Sequence, residues 1–291
     1  MIPKEVLQKV RQIEIRTRRI VDSVLSGGYE SAFKGRGMEF SEVRSYMDGD
    51  DVRSIDWNVT ARMGSPYIKK YVEERELTVM LVVDASSSGN FGSLDKFKGE
   101  MAVELCSLLA FSAIRNNDRV GLIIFTSDIE VFIPPRKGKN HVLRVIRELL
   151  YLQPKRKGTD IGCALRFLNR VQTKTSVVFL VSDFMSANFE APLRVASKRH
   201  DLITVSITDP REDELPRVGL IELEDAESGE TVLLDTRSKK ALDLYKKERR
   251  AQREKFDTLL RSTGVDDIRV STESGYVKPI VKFFQKRELR A

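Results

Sequence analysis

The feature that most constrains the fold is a series of short apolar runs that alternate with stretches of helical periodicity from residue 77 onward. The first run, Leu77–Val83, has the length of a strand and is apolar on both of its faces. A strand of this kind is typical of a parallel sheet that is covered on both sides. Alternating strands and helices predict a doubly wound sheet. We therefore expect an α/β, Rossmann-like fold, with a mostly parallel central sheet flanked by helices.

The predicted elements follow one another regularly after residue 76. The predicted strands are Leu77–Val83, Val120–Phe125, the short edge strand Glu130–Ile133, Val177–Ser182, Leu202–Ile207 and Ile268–Ser271. The predicted helices are Lys96–Arg115, His141–Leu150, Ile161–Val171, Ala191–Lys198, Lys239–Ser262 and a last helix from Lys278. A hairpin is predicted where Leu220–Leu223 and Thr231–Leu234 flank Ser228–Gly229. We expect residues 77–291 to form one domain that includes this hairpin and the C-terminal helices.

Residues 1–76 have a different pattern. Apolar residues at helical spacing predict an amphipathic helix from Lys4 to Leu25, which Gly27–Gly28 ends. The stretch from Phe33 to Glu76 is rich in glycine, charged and aromatic residues. We expect this N-terminal part to be a small segment that packs on the larger domain.

Oxygen-bearing side chains follow several of the predicted strands. Asp84, Ser86 and Ser88 stand at alternate positions directly after the first strand, so their side chains can converge on one point. Thr159 opens a predicted helix, and Asp183 follows the strand Val177–Ser182. Ligands of open parallel sheets bind beyond the carboxyl ends of the strands, and such oxygens suit a hard cation such as Mg²⁺. In the alternative interpretation, Asp84 and Asp183 only cap the turns that follow them.

The series Asp84-x-Ser86-x-Ser88, then Thr159, then Asp183, resembles the metal-ion-dependent adhesion site of von Willebrand factor A domains. The resemblance implies that Ser86, Ser88 and Thr159 touch a Mg²⁺ or Mn²⁺ ion, while Asp84 and Asp183 act directly or through water. It also implies that a carboxylate from a partner protein completes the coordination. Such a site recognises a protein rather than hydrolysing a substrate.

The segment before the first strand is similar to one bacterial family. The runs that carry the similarity are Gly35–Phe40, Arg44–Tyr46, Gly49–Trp57 and Ala61–Arg62, and later Asp209–Glu212 and Gly275–Phe284. They resemble the domain of unknown function numbered fifty-eight, whose members carry an A-type domain and commonly accompany MoxR-type AAA+ ATPases. The resemblance implies such an ATPase, a client protein or both as partners.

The Gly35–Arg62 segment allows two interpretations. Acidic and basic residues alternate closely along it. The acidic residues are Asp50, Asp51 and Asp56, and the basic residues are Arg44, Arg53 and Arg62. Charges that alternate in this way favour internal ion pairs around the turn at Gly49. The same charges would otherwise form a docking face for a partner.

Several classes of function are disfavoured. There is no nucleophile elbow, phosphate-binding loop or dinucleotide motif, and the only histidines are His141 and His200. Cys106 and Cys163 form no C-x-x-C pair, so no zinc framework is expected. No apolar stretch approaches the roughly 18 residues that cross a bilayer. We therefore expect a cytoplasmic protein that is not an enzyme, binds no small-molecule substrate and has no membrane span.

One alternative function remains open. The net charge is +7, and the predicted helix is rich in lysine and arginine over residues 239–255. These residues could form a basic face that contacts nucleic-acid phosphates. Asp243, Glu248 and Glu254 interrupt the face, so a solvated helix is the simpler expectation.

Overall fold

The computed structural model describes residues 4–21, 29, 32–33, 39–72, 76–87, 97–156, 158–224 and 231–290. They belong to two compact units, one made of Met1–Ala32 with Leu77–Ala291 and the other of Phe33–Glu76. The predicted division at residue 76 had placed the first helix with the segment that follows it. The structure groups this helix with the sheet instead, because the helix packs on other helices of the larger unit.

Helix α1 (Lys4–Ile20) owes its position to its amphipathic sequence. Val10 and Thr17 are buried on one side of the helix. Ion pairs stabilise the flanks of the helix. In one of them, the carboxylate of Glu14 lies 2.7 Å from the ammonium group of Lys139. The predicted continuation to Leu25 and the stop at Gly27–Gly28 lie outside the described residues.

The smaller unit is built on an antiparallel pair of strands. β1 (Glu39–Ser45) pairs with β2 (Tyr67–Val72), and α2 (Trp57–Met63) lies between them in the chain. Gly64 ends α2 in a left-handed conformation with φ of 73°, which glycine adopts without strain. The unit therefore has its own short hairpin-like scaffold.

The charges of the smaller unit serve its local structure in two ways. Arg44 and Asp50 form a two-pronged ion pair with distances of 2.8 and 2.9 Å, as the alternating pattern predicted. Asp51 and Asp56 instead cap backbone N–H groups, those of Arg53 and of the first turn of α2 respectively. An N-cap carboxylate satisfies helix donors that have no partner within the helix.

The larger unit alternates strands and helices along the chain. In chain order its elements are β3 (Thr78–Asp84), α3 (Lys98–Arg115), β4 (Arg119–Phe125), β5 (Ile129–Arg136), α4 (Lys139–Tyr151), α5 (Ile161–Val171), β6 (Val177–Ser182), α6 (Glu190–Arg199), β7 (Asp201–Thr208), α7 (Pro210–Asp213), β8 (Leu220–Glu224), β9 (Thr231–Asp235), α8 (Lys239–Thr263), β10 (Asp266–Ser271) and α9 (Val277–Glu288). The six-stranded sheet has the order β10-β7-β6-β3-β4-β5. All neighbours are parallel except the edge strand β5, which is antiparallel to β4.

The sheet is buried on both faces, as the apolar runs predicted. Val79, Met80, Leu81 and Val82 of β3 are all fully buried. Met80 and Val82 pack in a cluster with residues of α5, α6 and α8, while α1, α3 and α4 pack against one another. The predicted α/β fold with helices on both sides is therefore confirmed.

Three details differ from the expectation or complete it. The edge strand β5 has eight residues rather than four, and the short helix α7 was not predicted. β8 and β9 form the expected antiparallel pair, although the turn at Ser228–Gly229 lies outside the described residues. No helix in the described part of the chain combines the length and apolar character that a bilayer span needs.

Candidate metal centre

Asp84 ends the central strand β3 and is held by hydrogen bonds from two directions. One carboxylate oxygen, Oδ1, accepts from the backbone N–H of Ser86 at 2.9 Å. The other, Oδ2, accepts from the hydroxyl of Ser182 at 2.7 Å. Ser182 is the last residue of β6, which lies next to β3 in the sheet. The loop after β3 is thereby fixed to the end of the neighbouring strand.

Burial and a nearby negative charge change the pKa of the Asp84 carboxyl group. Burial raises the pKa of its carboxyl, and the negative charge of Asp183 raises it further, to about 6. The hydrogen bonds from Ser182 and Ser86 act in the opposite direction. Asp84 and Asp183 also line one small cavity, so the two side chains lie close together. The structure thus brings two of the predicted ligands together.

Asp183 interacts with a buried lysine that the sequence did not single out. Its Oδ2 atom accepts from Nζ of Lys98 at 2.9 Å, and the same ammonium donates to Glu212 Oε1 at 2.6 Å. Burial alone would lower the pKa of Lys98, but the charges of Asp183 and Glu212 outweigh it, so this pKa is raised. Lys98 is therefore a fixed positive charge at the edge of the site.

The backbone after Asp183 is constrained. Phe184 has φ of 57°, a left-handed conformation that is uncommon for a residue with a large side chain. Its ring stacks on Phe256 of α8 with the centroids 4.5 Å apart, and its N–H donates to the Ser182 hydroxyl. Packing and hydrogen bonding compensate the strained turn and hold the Asp183 carboxylate in place.

Thr159 lies on the same edge of the sheet. The N–H of Asp160, the next residue, donates to the carbonyl of Thr126 at 2.9 Å. Thr126 directly follows β4, whose last residue Phe125 accepts from the N–H of Ala85 at 2.9 Å. The loop that carries Thr159 therefore reaches the ends of β4 and β3. Ser88, the remaining predicted ligand, lies outside the described residues.

The turn-capping contacts of the alternative interpretation are also present. Besides the bond from Ser86 to Asp84, the N–H of Met185 donates to Asp183 Oδ1 at 3.2 Å. These contacts use one oxygen of each carboxylate. The other oxygen of each carboxylate accepts from Ser182 or Lys98. Capping and ion binding are still compatible here, because each carboxylate oxygen keeps a second lone pair.

The donors that are present fit a hard cation. A cavity of about 30 Å³ is lined by Asp84, Ser182 and Asp183, and also by Lys98, which is room for a small occupant such as water. Within the described residues, no three His, Cys, Asp or Glu side chains are grouped to hold a metal. Ser86 and Thr159 do not line this cavity, so their hydroxyl oxygens would have to complete the shell from the neighbouring loops, and oxygen ligands are what Mg²⁺ takes.

Sequence reasoning missed Lys98, Ser182 and Glu212. A signal for Lys98 existed, because a lysine in the first turn of a helix opposes the helix dipole and calls for an acidic partner. Glu212 carried a second signal, since Asp209 and Glu212 form a capping box at α7. No sequence pattern pairs Lys98 with Glu212, which lies 114 residues away.

A family model described as "Protein of unknown function DUF58" matches residues 42–255, which is well over half of the chain. The chain belongs to the DUF58 family. This confirms the resemblance drawn from the glycine-, aspartate- and arginine-rich segment. An uncharacterized protein of Mycobacterium tuberculosis is 31% identical over 282 residues, which cover 96% of this chain and 88% of that protein.

Among solved structures, this DUF58 chain is similar to two proteins of low sequence identity. BatB from Bacteroides thetaiotaomicron is 17% identical with a TM-score of 0.49, over 74% of this chain and all (100%) of that one. The von Willebrand factor A domain of SpRpn10 is 12% identical with a TM-score of 0.42, over 71% of this chain and 94% of that one. The fold of this chain is a mostly parallel sheet between two helical layers.

Proposed function

We propose that this DUF58 protein is a non-enzymatic adaptor that binds another protein through a metal ion. In this proposal Mg²⁺, or Mn²⁺ in its place, is held by five residues, namely Asp84, Ser86, Ser88, Thr159 and Asp183. An Asp or Glu side chain of the partner completes the coordination. The observation that carries the proposal is the juxtaposition of Asp84 and Asp183, which line one small cavity at the ends of the neighbouring strands β3 and β6.

The charges around the site match a dication. Lys98 lies 2.9 Å from Asp183 and 2.6 Å from Glu212, so its ammonium offsets part of the negative charge of these two acids. With Asp84, three carboxylates and one ammonium leave two formal negative charges for the ion to neutralise. The carboxylate of the partner is therefore proposed from the resemblance to the adhesion site and not from an excess of positive charge.

The partner that we propose is a MoxR-type AAA+ ATPase, a client of that ATPase, or both. Support comes from the membership of the DUF58 family together with the resemblance that links this family to such ATPases. In this mechanism the metal ion holds an acidic side chain of the partner, and the conformational cycle of the ATPase remodels the captured client. The chain itself supplies binding and orientation.

The metal is tested first, by isothermal titration calorimetry of the metal-free protein with MgCl₂. Wild type is expected to bind one ion, and Asp84→Ala is expected to lose this binding while keeping its thermal unfolding cooperative. Asp243→Ala is the matched control, because Asp243 is an exposed aspartate on α8 of the same unit. Wild-type Mg²⁺ affinity in Asp84→Ala would show that the assignment of the site is wrong.

Partner capture is tested next, with a purified MoxR-type ATPase and immobilised wild-type or Asp84→Ala protein. Chelation alone is a poor test, since the ATPase needs Mg²⁺ for its nucleotide. The Asp84→Ala variant removes only the ion of the adaptor. Retention of the ATPase by wild type and by Asp243→Ala, but not by Asp84→Ala, is the expected result. Equal retention by all three would contradict metal-dependent capture.

Nucleic-acid binding through α8 is the second candidate. It is favoured by the exposure of basic residues on this helix, among them Lys246, Lys247, Arg250 and Arg253. Against it, Tyr245 is engaged with the carbonyl of Glu212 rather than free to stack on bases. Salt-sensitive retention on DNA that is the same in wild type and in Asp84→Ala would support this candidate over the adaptor.

A further inference from the structure

A cavity of about 610 Å³ opens beside the proposed metal site. Residues 84–87, the loop after β3, form one part of its wall. The other parts come from α1, from the first turns of α3 and from the end of α4. All of these elements belong to the larger unit. The volume is in the range of roughly 300–1,000 Å³ that is typical of ligand sites in proteins.

The inner wall of the cavity is apolar. Val83, Ala102 and Val103 line it, and each is less than about a tenth exposed. Leu150 and Leu152 at the end of α4 are half-buried along another side. Binding of an apolar group against such a wall is favourable, because it removes apolar surface from water.

The rim of the cavity is polar and of mixed charge. Lys9 and Arg156 are exposed and stand at the rim, with Gln12 and Glu100 also exposed there. Arg156 pairs with Asp128 at 3.1 Å, and Glu100 and Glu104 add negative charge to the lining, so the rim by itself does not select an acidic ligand. The amide of Gln12 and the carboxylate of Glu100 can bond to peptide N–H and C=O groups. A fatty acyl chain would leave these polar groups without hydrogen-bond partners, which costs free energy when they are covered.

We infer that this cavity is the specificity pocket of the adaptor, and that it takes a large apolar side chain next to the acidic residue of the partner. The inference rests on the proposed function, because it places the partner's carboxylate on the ion at Asp84 and Ser86. The neighbouring residue of an extended peptide then reaches the cavity, since the metal loop forms part of the cavity wall. The partner motif is an aspartate or glutamate followed by leucine, phenylalanine or a residue of similar size.

Two peptide probes of equal charge test the inference, acetyl-Gly-Asp-Leu-Phe-Gly-amide and acetyl-Gly-Asp-Ser-Ser-Gly-amide. Their affinities for the full chain are measured by NMR titration in MgCl₂ and in EDTA. In Mg²⁺ the apolar probe is expected to bind wild type about tenfold more tightly than the polar probe, as burial of one large apolar side chain provides. In EDTA both probes are expected to lose binding.

Two variants test whether the higher affinity of the apolar probe arises in the cavity. Leu152→Asn makes the wall polar without adding charge, and Gln12→Trp narrows the opening from an exposed position, where folding is not at risk. Both should bring the ratio of the two affinities close to one, and Leu152→Asn should leave the affinity of the polar probe unchanged. Leu244→Asn is the matched control, because Leu244 is 58% exposed on α8 and does not line this cavity. This control should keep the tenfold ratio.

The outcomes separate the two proposals. Equal binding of both probes to wild type in Mg²⁺, with loss in EDTA, would overturn the pocket and leave carboxylate capture standing. Failure of both probes at millimolar concentration, while calorimetry shows a bound ion, would overturn carboxylate capture and the pocket with it. Equal binding of the apolar probe to wild type and to Asp84→Ala would also overturn the inference, since the ion would then play no part.

Discussion

The ammonium group of Lys98 lies 2.9 Å from a carboxylate oxygen of Asp183, and the two side chains are only 4% and 9% exposed. A positively charged side chain of the protein thus lies beside a proposed metal ligand. Glu212 contacts the same ammonium at 2.6 Å and offsets part of its charge. The positive charge of Lys98 therefore lowers the affinity of the site for a cation, and the negative charge of Glu212 raises it. Neither residue belongs to the proposed ligand set.

This arrangement predicts opposite effects of two substitutions on Mg²⁺ affinity. Lys98→Met removes a positive charge near the ion and should tighten binding about tenfold, or ~1.4 kcal/mol at the effective dielectric of a partly buried site. Glu212→Gln leaves the charge of Lys98 less compensated and should weaken binding by a similar factor. Calorimetry with MgCl₂ measures both.

Each of these substitutions also breaks a buried ion pair and should lower the free energy of unfolding of the metal-free protein by about 3–5 kcal/mol. Denaturant unfolding in EDTA measures this loss separately from metal affinity. If both variants bound Mg²⁺ more weakly than wild type, the effect would be general loosening of the site rather than electrostatics, and the prediction would fail.

Two adjacent serines provide a matched test of the ligand set. Ser86 is 4% exposed and belongs to the proposed donors, whereas Ser87 stands next to it and does not. Ser86→Ala should weaken Mg²⁺ binding at least about tenfold, because a hydroxyl ligand is lost. Ser87→Ala should leave the affinity unchanged. Equal affinities of the two variants would remove Ser86 from the ligand set.

His200 predicts a pH dependence of stability that is independent of the metal. Burial, with the positive charge of Arg199 as a smaller cause, lowers its pKa to about 4. Within the described residues neither ring nitrogen has a hydrogen-bond partner. In the unfolded chain the pKa is about 6.5, so the unfolded state binds more protons between pH 6.5 and 4. Stability should therefore be full above pH 6.5 and fall by up to about 3 kcal/mol as the pH drops to 4.

The measurement is urea unfolding at pH 7, 5.5 and 4.5 in EDTA, with His200→Leu as the test variant. The variant should lose the part of the pH dependence that His200 causes. His141→Gln is the control, because the ring of His141 already bonds to the carbonyl of Val120 at 2.8 Å. An unchanged pH profile in His200→Leu would contradict the assignment.

The smaller unit offers a prediction on the cap of α2. Asp56 is 9% exposed, and its carboxylate accepts from the N–H groups of Asn58 and Val59. Asp56→Ala should destabilise this unit by about 1 kcal/mol, and Asp56→Asn much less, because asparagine also caps helices. Hydrogen exchange of the amides in residues 57–63 measures the effect. Faster exchange in both variants to the same degree would show that the cap is not the cause.

Much of the fold was predictable because it depends on local patterns. The length of an apolar run such as Leu77–Val83 favours a strand buried on two faces, and helical spacing in the intervening stretches indicates where the helices lie. The prediction that Asp84, Thr159 and Asp183 share one edge of the sheet follows from this assignment, since the carboxyl ends of parallel strands meet at one edge. This is why the sheet agrees with the expectation.

The sequence by itself determined the class of fold, the strand ends that carry oxygen donors and the family. Only the tertiary structure decided that α1 belongs with the sheet, that Ser182 links Asp84 to β6, and that Lys98 meets Asp183 and Glu212. The physical reason is the range of the interactions. Periodicity and capping act over a few residues, whereas Lys98 and Glu212 are 114 residues apart and meet only because the sheet and its helices pack around one core.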